Sequence, residues 1–212
     1  MIELGLKFTL AYLLGSILGS LLVGKIRGGV DIRQLGSRNA GGTNALRTQG
    51  KIFAFWVMFI DVGKGIVSAS LLPYFSLPGV GLDPQVSREL IVVAVGLGVI
   101  VGHIYPVWHE FRGGKGGATA GGVICVLASE IAIPVVLFWL SLIVITRYVG
   151  LSTMSAAIGA SIYIGITKLP AEPEFFVFSL LVAVLIIYTH RDNVVRMFRG
   201  TESQVKIFPL GK

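Results

Sequence analysis

The chain has 212 residues, 54% of them hydrophobic and only 14% charged, with a formal net charge of +7. Soluble domains carry about 25% charged residues, and here the apolar residues fall in long runs that raise the mean hydropathy to +0.81. An ordinary soluble domain is excluded, and the chain reads as an all-α polytopic membrane protein.

The runs predict seven transmembrane helices, at about 4–24, 52–72, 90–108, 117–130, 132–147, 152–168 and 174–190. No linker rich in Pro, Ser or Gly divides the chain, so residues 1–212 read as one domain. The start, MIEL, lacks a basic segment, and no small-residue cleavage site follows the first run, which therefore reads as a retained helix. Gly15, Ser16, Gly19 and Ser20 in the first span, Gly98 and Gly102 in the third, and Ser155 and Gly159 in the sixth suit close helix approach. Asp61 and Lys64 in the second span are spaced to pair at i, i+3. They read either as a packing ion pair or as a functional intramembrane site.

Several spans hold only 15 to 18 residues, which at about 1.5 Å per residue fall short of a ~30 Å hydrocarbon core. Either the bilayer thins locally or polar segments sit below its surface. The fourth and fifth spans are separated only by Ser129 and Glu130, with Pro134 close by, which reads as a hairpin or as one kinked helix. Cys125, the single cysteine, reads as a small buried hydrophobe.

Orientation follows from the cations. The loops after spans one, three and five and the C-terminal tail hold Lys25, Arg27, Arg33, Arg38, Arg47, Lys51, Arg112, Lys115, Arg147, Arg191, Arg196, Arg199, Lys206 and Lys212. The opposite side holds Lys7, Arg88 and Lys168. The N-terminus is therefore expected outside and the C-terminus in the cytoplasm. The positive face also suits anionic lipid headgroups, and nothing in it calls for nucleic acid.

Four polar clusters lie on that cytoplasmic side: GSRNAGGTNALRTQGK (36–51), GHIYPVWHEFRGGKGGATAGG (102–122), RYVGLSTMS (147–155) and THRDNVVRMFRGTES (189–203). The external loop PYFSLPGVGLDPQVSRE has no comparable cluster. This one-sidedness points to a shared site. Glycines such as Gly42, Gly114 and Gly116 leave backbone amides open to an anion. Ser37, Asn39, Thr43 and Asn44 add neutral hydrogen-bonding groups, and Arg38, Arg47, Lys51 and Lys115 add cationic donors. The sum is a phosphate site. GGKGGATAGG reads as a glycine-rich loop that runs into the fourth helix, whose N-terminus favours an anion.

His103 and His190 sit at the cytoplasmic ends of spans three and seven. Each reads as a phosphate ligand or acid/base, or as a helix cap. Asn193 lies one turn beyond His190. Other chemistries lack their motifs. Lys115 is followed by Gly116 rather than Ser or Thr, so a P-loop is absent, and neither HExxH nor a Cys/His cluster suggests a metal. The fifth residue after each histidine is Trp108, Gly114 or Val195, which excludes an HxxxxD acyltransferase. A transporter for a phosphorylated solute is the main alternative, but it would place polar groups at the midplane or on both faces.

The four clusters resemble, in order, the motifs of the bacterial acyl-phosphate:glycerol-3-phosphate acyltransferase family (the PlsY family). GSRNAGGTNALR…GK is similar to the family's GSGN-x-GATN-x-LR…GK, and GHIYPVWHEFRGGKGGAT to its GH-x-FPV…F-K/R-GGKG-x-AT. RYVGLST is similar to RYVSLSS, and HRDNVVRMFRGTE to HR-x-NI-x-RL…GTE. Arg38 stands where glycine is commoner, Gly42 where alanine is, and Gly150 where serine is. The last change shifts the expected site hydroxyl to Ser152. The resemblance implies transfer of a fatty acyl group from a long-chain acyl phosphate to the 1-hydroxyl of glycerol 3-phosphate, without a cofactor or metal, at the cytoplasmic face of a bacterial inner membrane. On that basis Lys115, with Gly114 and Gly116, is expected at one phosphate. Ser37, Thr43, Asn44 and Arg47, with Arg38, Asn39 and Gly42, are expected at the other, and His190 and Asn193 close by. His103, Arg147 and Ser152 are further substrate-binding candidates, and Glu202 is expected to hold the tail.

Overall fold

The computed structural model describes residues 1–81 and 83–205, so Lys206 and Lys212 of the positive face lie outside the described residues. The described residues form helices and turns without strands. They fall into two compact units, Met1–Ala128 and Ser129–Lys212. The units adjoin at consecutive residues, so no linker composition marks the boundary.

The first unit begins with α1 (Ile2–Gly15) and α2 (Gly19–Ile26), which meet at a 42° bend. A loop with a 3-10 turn at Ile32–Gln34 leads into α3 (Gly42–Gln49). Gly50, at φ +86°, ends α3 and admits α4 (Lys51–Leu71) directly. Helix α5 (Arg88–Ile104) is capped by Ser87, whose hydroxyl accepts the Leu90 amide at 3.1 Å. A second loop then opens α6 (Gly117–Leu127).

Close backbone approach sets this packing, as the small residues suggested. A Cβ at Gly15 would lie 2.2 Å from the Val99 carbonyl oxygen, and one at Gly102 would lie 2.1 Å from that of Tyr12, so α1 and α5 meet backbone to backbone. Gly65 and Gly122 do the same for α4 and α6. At the far end of α1, buried Lys7 pairs with Glu3 at 2.7 Å and donates to the Pro73 carbonyl at 2.8 Å. Arg88 donates to the same carbonyl.

The second unit comprises α7 (Ser129–Thr146), α8 (Val149–Lys168), α9 (Pro173–Thr189) and α10 (Arg191–Phe198), the last two bent by 50°. Only 6% of the α7 span is buried, although its residues are almost all apolar. Such a surface is stable where lipid covers it.

Among the described residues, four helices are long and apolar enough to cross a membrane, or six if each bent pair counts as one span. The remaining expected span, the fourth (117–130), is α6, whose 11 residues cover only about 16 Å at the α-helical rise. Helices α6 and α7 are separate, divided at Ala128. Cys125 is exposed on α6 rather than buried, because apolar sequence in a membrane helix faces lipid as readily as protein.

Candidate functional site

The first cluster folds around Asn44, which is 1% exposed. Its amide nitrogen lies 2.9–3.0 Å from the carbonyl oxygens of Ile32, Leu35 and Asn39, and its oxygen accepts the Ser37 amide at 3.0 Å. Asn44 was expected to donate to phosphate. Its polar atoms are instead spent on the loop backbone, and its role is to hold that loop in shape. Gly36 takes φ +56°, and a Cβ there would lie 2.4 Å from the Asn44 oxygen, so only glycine fits. Arg38 adopts φ +59°, a left-handed conformation that suits the glycine commoner at this position. With the backbone fixed, Ser37, Arg38 and Arg47 remain exposed, and Asn39, Gly42 and Thr43 are half-buried.

The second cluster is a loop turned back on the end of α5. The Gly113 amide donates to the Ile104 carbonyl at 3.1 Å and the Gly114 amide to the His103 carbonyl at 3.0 Å. Gly116, at φ +86°, ends the loop and opens α6, with Lys115 half-buried before it. The glycine-rich loop runs into the helix start as the residues predicted, with helix N-terminal amides next to a lysine, but the Gly114 amide, expected open to an anion, is spent on the His103 carbonyl.

Arg33 joins the two loops. It donates to the carbonyls of His109 at 3.2 Å and Arg112 at 3.3 Å, and Asp31 holds its guanidinium at 2.8 Å. The hydrogen bond from Arg33 keeps the Asp31 carboxyl below the usual carboxylate range, and Asp31 in turn raises Arg33. An open cleft of about 350 Å³ lies here, lined by Asp31, Arg33, Gln34, Arg38, Glu110, Arg112 and Gly113. The role of Arg33 was missed because it is one of many cations on this face; its only signal is the Asp-x-Arg spacing.

Beneath the second loop, Asp61 and Lys64 make the expected i, i+3 pair at 3.2 Å, both buried. His103, expected as a substrate ligand, is 2% exposed and belongs to this pair. Its Nδ1 lies 2.9 Å from Lys64 Nζ and 3.5 Å from Asp61 Oδ1. An ammonium only donates, so Nδ1 accepts and the ring proton sits on Nε2. That edge packs on Gly114, where a Cβ would lie 2.0 Å from Nε2. His103 is thus buried beneath the loop, between Lys64 and Gly114.

In the second unit, His190 is the joint between α9 and α10. Its Nδ1 lies 2.8 Å from the Ile186 carbonyl oxygen, which fixes the ring's orientation. The Asn193 amide donates to the His190 carbonyl at 2.9 Å, one turn on. The Asn193 side chain donates to Glu202 Oε1 at 2.7 Å, and Arg196 Nε donates to Oε2 at 2.6 Å. Glu202 thus ties the tail to α10, and Val205 adds a bond to the Arg147 carbonyl at 2.9 Å. Gly150 packs on Asn193, where a Cβ would come within 3.0–3.1 Å. Ser152, the expected site hydroxyl, is fully buried and donates to the Tyr148 carbonyl of its own helix at 3.0 Å. Arg147 is exposed with φ +62°. The structure therefore brings His190, Asn193, Glu202 and Gly150 together and turns Ser152 inward.

A helical, multi-pass membrane protein that carries glycine-rich cationic loops at its helix ends is the class these features define. The family model for glycerol-3-phosphate acyltransferase matches residues 6–200. The glycerol-3-phosphate acyltransferase of Prochlorococcus marinus (strain MIT 9301) is 36% identical over 195 residues, covering 92% of this chain and 94% of that one. The corresponding protein of Chlorobaculum tepidum is 35% identical over 216 residues, covering 92% and 93%. Among solved structures, PlsY (YgiH), an integral membrane glycerol 3-phosphate acyltransferase, matches in its glycerol 3-phosphate form with a TM-score of 0.82 and 32% identity over 96% of both chains. Its lysophosphatidic acid form matches with a TM-score of 0.80 at 31% identity, covering 96% of this chain and 95% of that one. The chain belongs to the glycerol-3-phosphate acyltransferase family.

Proposed function

We infer that the protein transfers a fatty acyl group from acyl phosphate to the 1-hydroxyl of glycerol 3-phosphate, yielding lysophosphatidic acid and inorganic phosphate for phospholipid synthesis. The observation that carries this reading is the likeness, over 96% of this chain and at least 95% of theirs, to the glycerol 3-phosphate and lysophosphatidic acid forms of an integral membrane glycerol 3-phosphate acyltransferase. Both substrates carry phosphate, and the residues offer glycine amides and cations for anions beside apolar helices for an acyl chain.

Acyl phosphate is an activated mixed anhydride. The glycerol 3-phosphate hydroxyl oxygen forms the new bond to the acyl carbon, the acyl carbon–phosphate oxygen bond breaks, and phosphate leaves. The hydroxyl proton passes to a phosphate oxygen, so the step needs mainly positioning and charge stabilisation. Lys115 and Gly116 serve one phosphate, on the loop that the Gly114 amide holds against the His103 carbonyl. Ser37, Thr43 and Arg47, with Arg38, Asn39 and Gly42, serve the other on the frame that Asn44 sets. His190 and Asn193 contribute orientation in the same reaction, with Arg147 as a further cation.

The reaction takes place at the cytoplasmic face of a bacterial inner membrane, and 1–212 acts as one acyltransferase. Seven apolar helical segments lie in the bilayer with the N-terminus outside, α6 reaching about half its depth. The excess of Lys and Arg on one set of loops supports this orientation.

Purified protein is incubated with glycerol 3-phosphate and palmitoyl phosphate, acyl-CoA or acyl carrier protein thioester in parallel. Lysophosphatidic acid from palmitoyl phosphate alone is expected. Product from none of the three donors would remove the acyltransferase reading, and product only from a thioester would overturn the donor.

A further inference from the structure

The first helix breaks where no proline requires it. Gly15 ends α1, Leu18 is extended, and α2 starts at Gly19. In a membrane protein such a break leaves backbone groups that water cannot satisfy. Side chains of α4 satisfy them. Lys64 Nζ donates to the Gly15 and Ile17 carbonyls, each at 2.7 Å, and Asp61 Oδ1 accepts the Gly19 amide at 3.1 Å. The third acceptor of the Lys64 ammonium is His103 Nδ1 at 2.9 Å. The His103 ring then meets Gly114 with its Nε2 edge.

Two further bonds tie the broken segment to the same loop. The Tyr12 hydroxyl donates to the Tyr105 carbonyl at 2.8 Å, and the Ser16 hydroxyl accepts the Val107 amide at 3.3 Å. The helix break, the buried ion pair and the start of the glycine-rich loop are thus one connected unit.

An unbroken apolar helix would satisfy its own backbone without any charges. A buried ion pair is often no more stabilising than apolar residues of similar volume. Stability alone therefore does not account for a break, a buried Lys–Asp pair and a buried histidine at this one place.

We propose that Asp61, Lys64 and His103 are positioning residues for acyl transfer: anchored on the break in the first helix, they set the height and orientation of the Gly113–Gly116 loop against its phosphate. None of the three touches substrate. Lys64 fixes the ring tautomer and angle of His103, and the ring edge fixes Gly114. This inference rests on the acyltransferase reading and adds a layer beneath the substrate-facing residues.

The test separates positioning from folding. In the double variant Asp61→Leu/Lys64→Met both charges are removed together, so no unpaired buried ion remains. In His103→Asn the amide still reaches Lys64 from the Nδ1 position, but the edge facing Gly114 is lost. Kinetics are measured in detergent with glycerol 3-phosphate and palmitoyl phosphate varied in turn, alongside thermal unfolding. Each variant is expected to raise the KM of one of the two phosphorylated substrates at least tenfold, with kcat within about threefold of wild type and the other KM unchanged.

Wild-type KM values in either folded variant would overturn the proposal, and so would an equal loss in both KM values and kcat. If the double variant does not fold, His103→Asn decides by the same readout. If that variant also fails to fold, the three residues serve folding alone and the proposal is overturned. Inactive wild-type protein would instead be a failure of the acyltransferase reading, so the two failures are distinguishable.

Discussion

Asn193 donates a 2.7 Å hydrogen bond to Glu202, a carboxylate whose other oxygen is held by Arg196 at 2.6 Å. Glu202 is 5% exposed at its side chain, whereas Arg196 is 36% exposed. Glu202→Ala leaves the Asn193 amide without this acceptor and releases the tail. A loss of about 1–3 kcal/mol in unfolding free energy is expected, the Arg196 share being weakened by solvent. Glu202→Gln keeps the acceptor for Asn193 and should lose less. Thermal unfolding of both variants in detergent checks the order.

Asn44 and Lys115 are predicted to differ in what they disturb. Asn44→Ala removes the clasp from four backbone groups and should cost at least ~2 kcal/mol of stability. Lys115→Ala should leave the unfolding temperature close to wild type. Its kcat/KM should fall about 30-fold or more, the equivalent of ~2 kcal/mol for a charge-assisted contact. Wild-type kinetics for Lys115→Ala would remove it from the site.

Gly36 and Arg38 share a left-handed backbone in the same loop but face opposite consequences. Gly36→Ala drives a Cβ into the Asn44 oxygen and should destabilise by at least ~1 kcal/mol. Arg38→Gly relieves a left-handed residue at the expense of added freedom in the unfolded chain, so stability should stay within about 1 kcal/mol of wild type. Equilibrium unfolding of the two single variants tests the contrast.

The all-helical, apolar character and the four to six long spans among the described residues were legible because runs of hydrophobic residues survive any detail of packing. The break after Gly15 was not. The groups that stabilise the break, Lys64 and Asp61, lie more than 40 residues away, and no local pattern announces them. The glycine-rich loop and the start of α6 could be read from GGKGGATAGG because left-handed glycine and a helix N-terminus are local features. Asn44, His103 and Ser152 are ambiguous in the sequence for a common reason. A polar side chain among glycines or at a helix end reads the same whether it faces a ligand or clasps the backbone, and only burial separates the two.

Asp31 and Arg33 give a pH dependence with a defined sign. The Asp31 carboxyl titrates below its ordinary value of 3.8 in the folded protein because of the hydrogen bond from Arg33. Its contribution is therefore complete above about pH 4, and it is lost as pH falls through the lower folded-state value. Arg33 stays charged throughout this window. Unfolding temperatures measured from pH 6 to pH 3 should fall more steeply for wild type than for Asp31→Asn. The difference should shrink in high salt, since both groups are partly exposed.

Glycerol 3-phosphate-dependent release of inorganic phosphate from palmitoyl phosphate by the purified protein tests the central claim most directly. Phosphate should appear in equal amount to 1-acyl lysophosphatidic acid and only when glycerol 3-phosphate is present. Phosphate release without glycerol 3-phosphate, or without lysophosphatidic acid, would contradict acyl transfer.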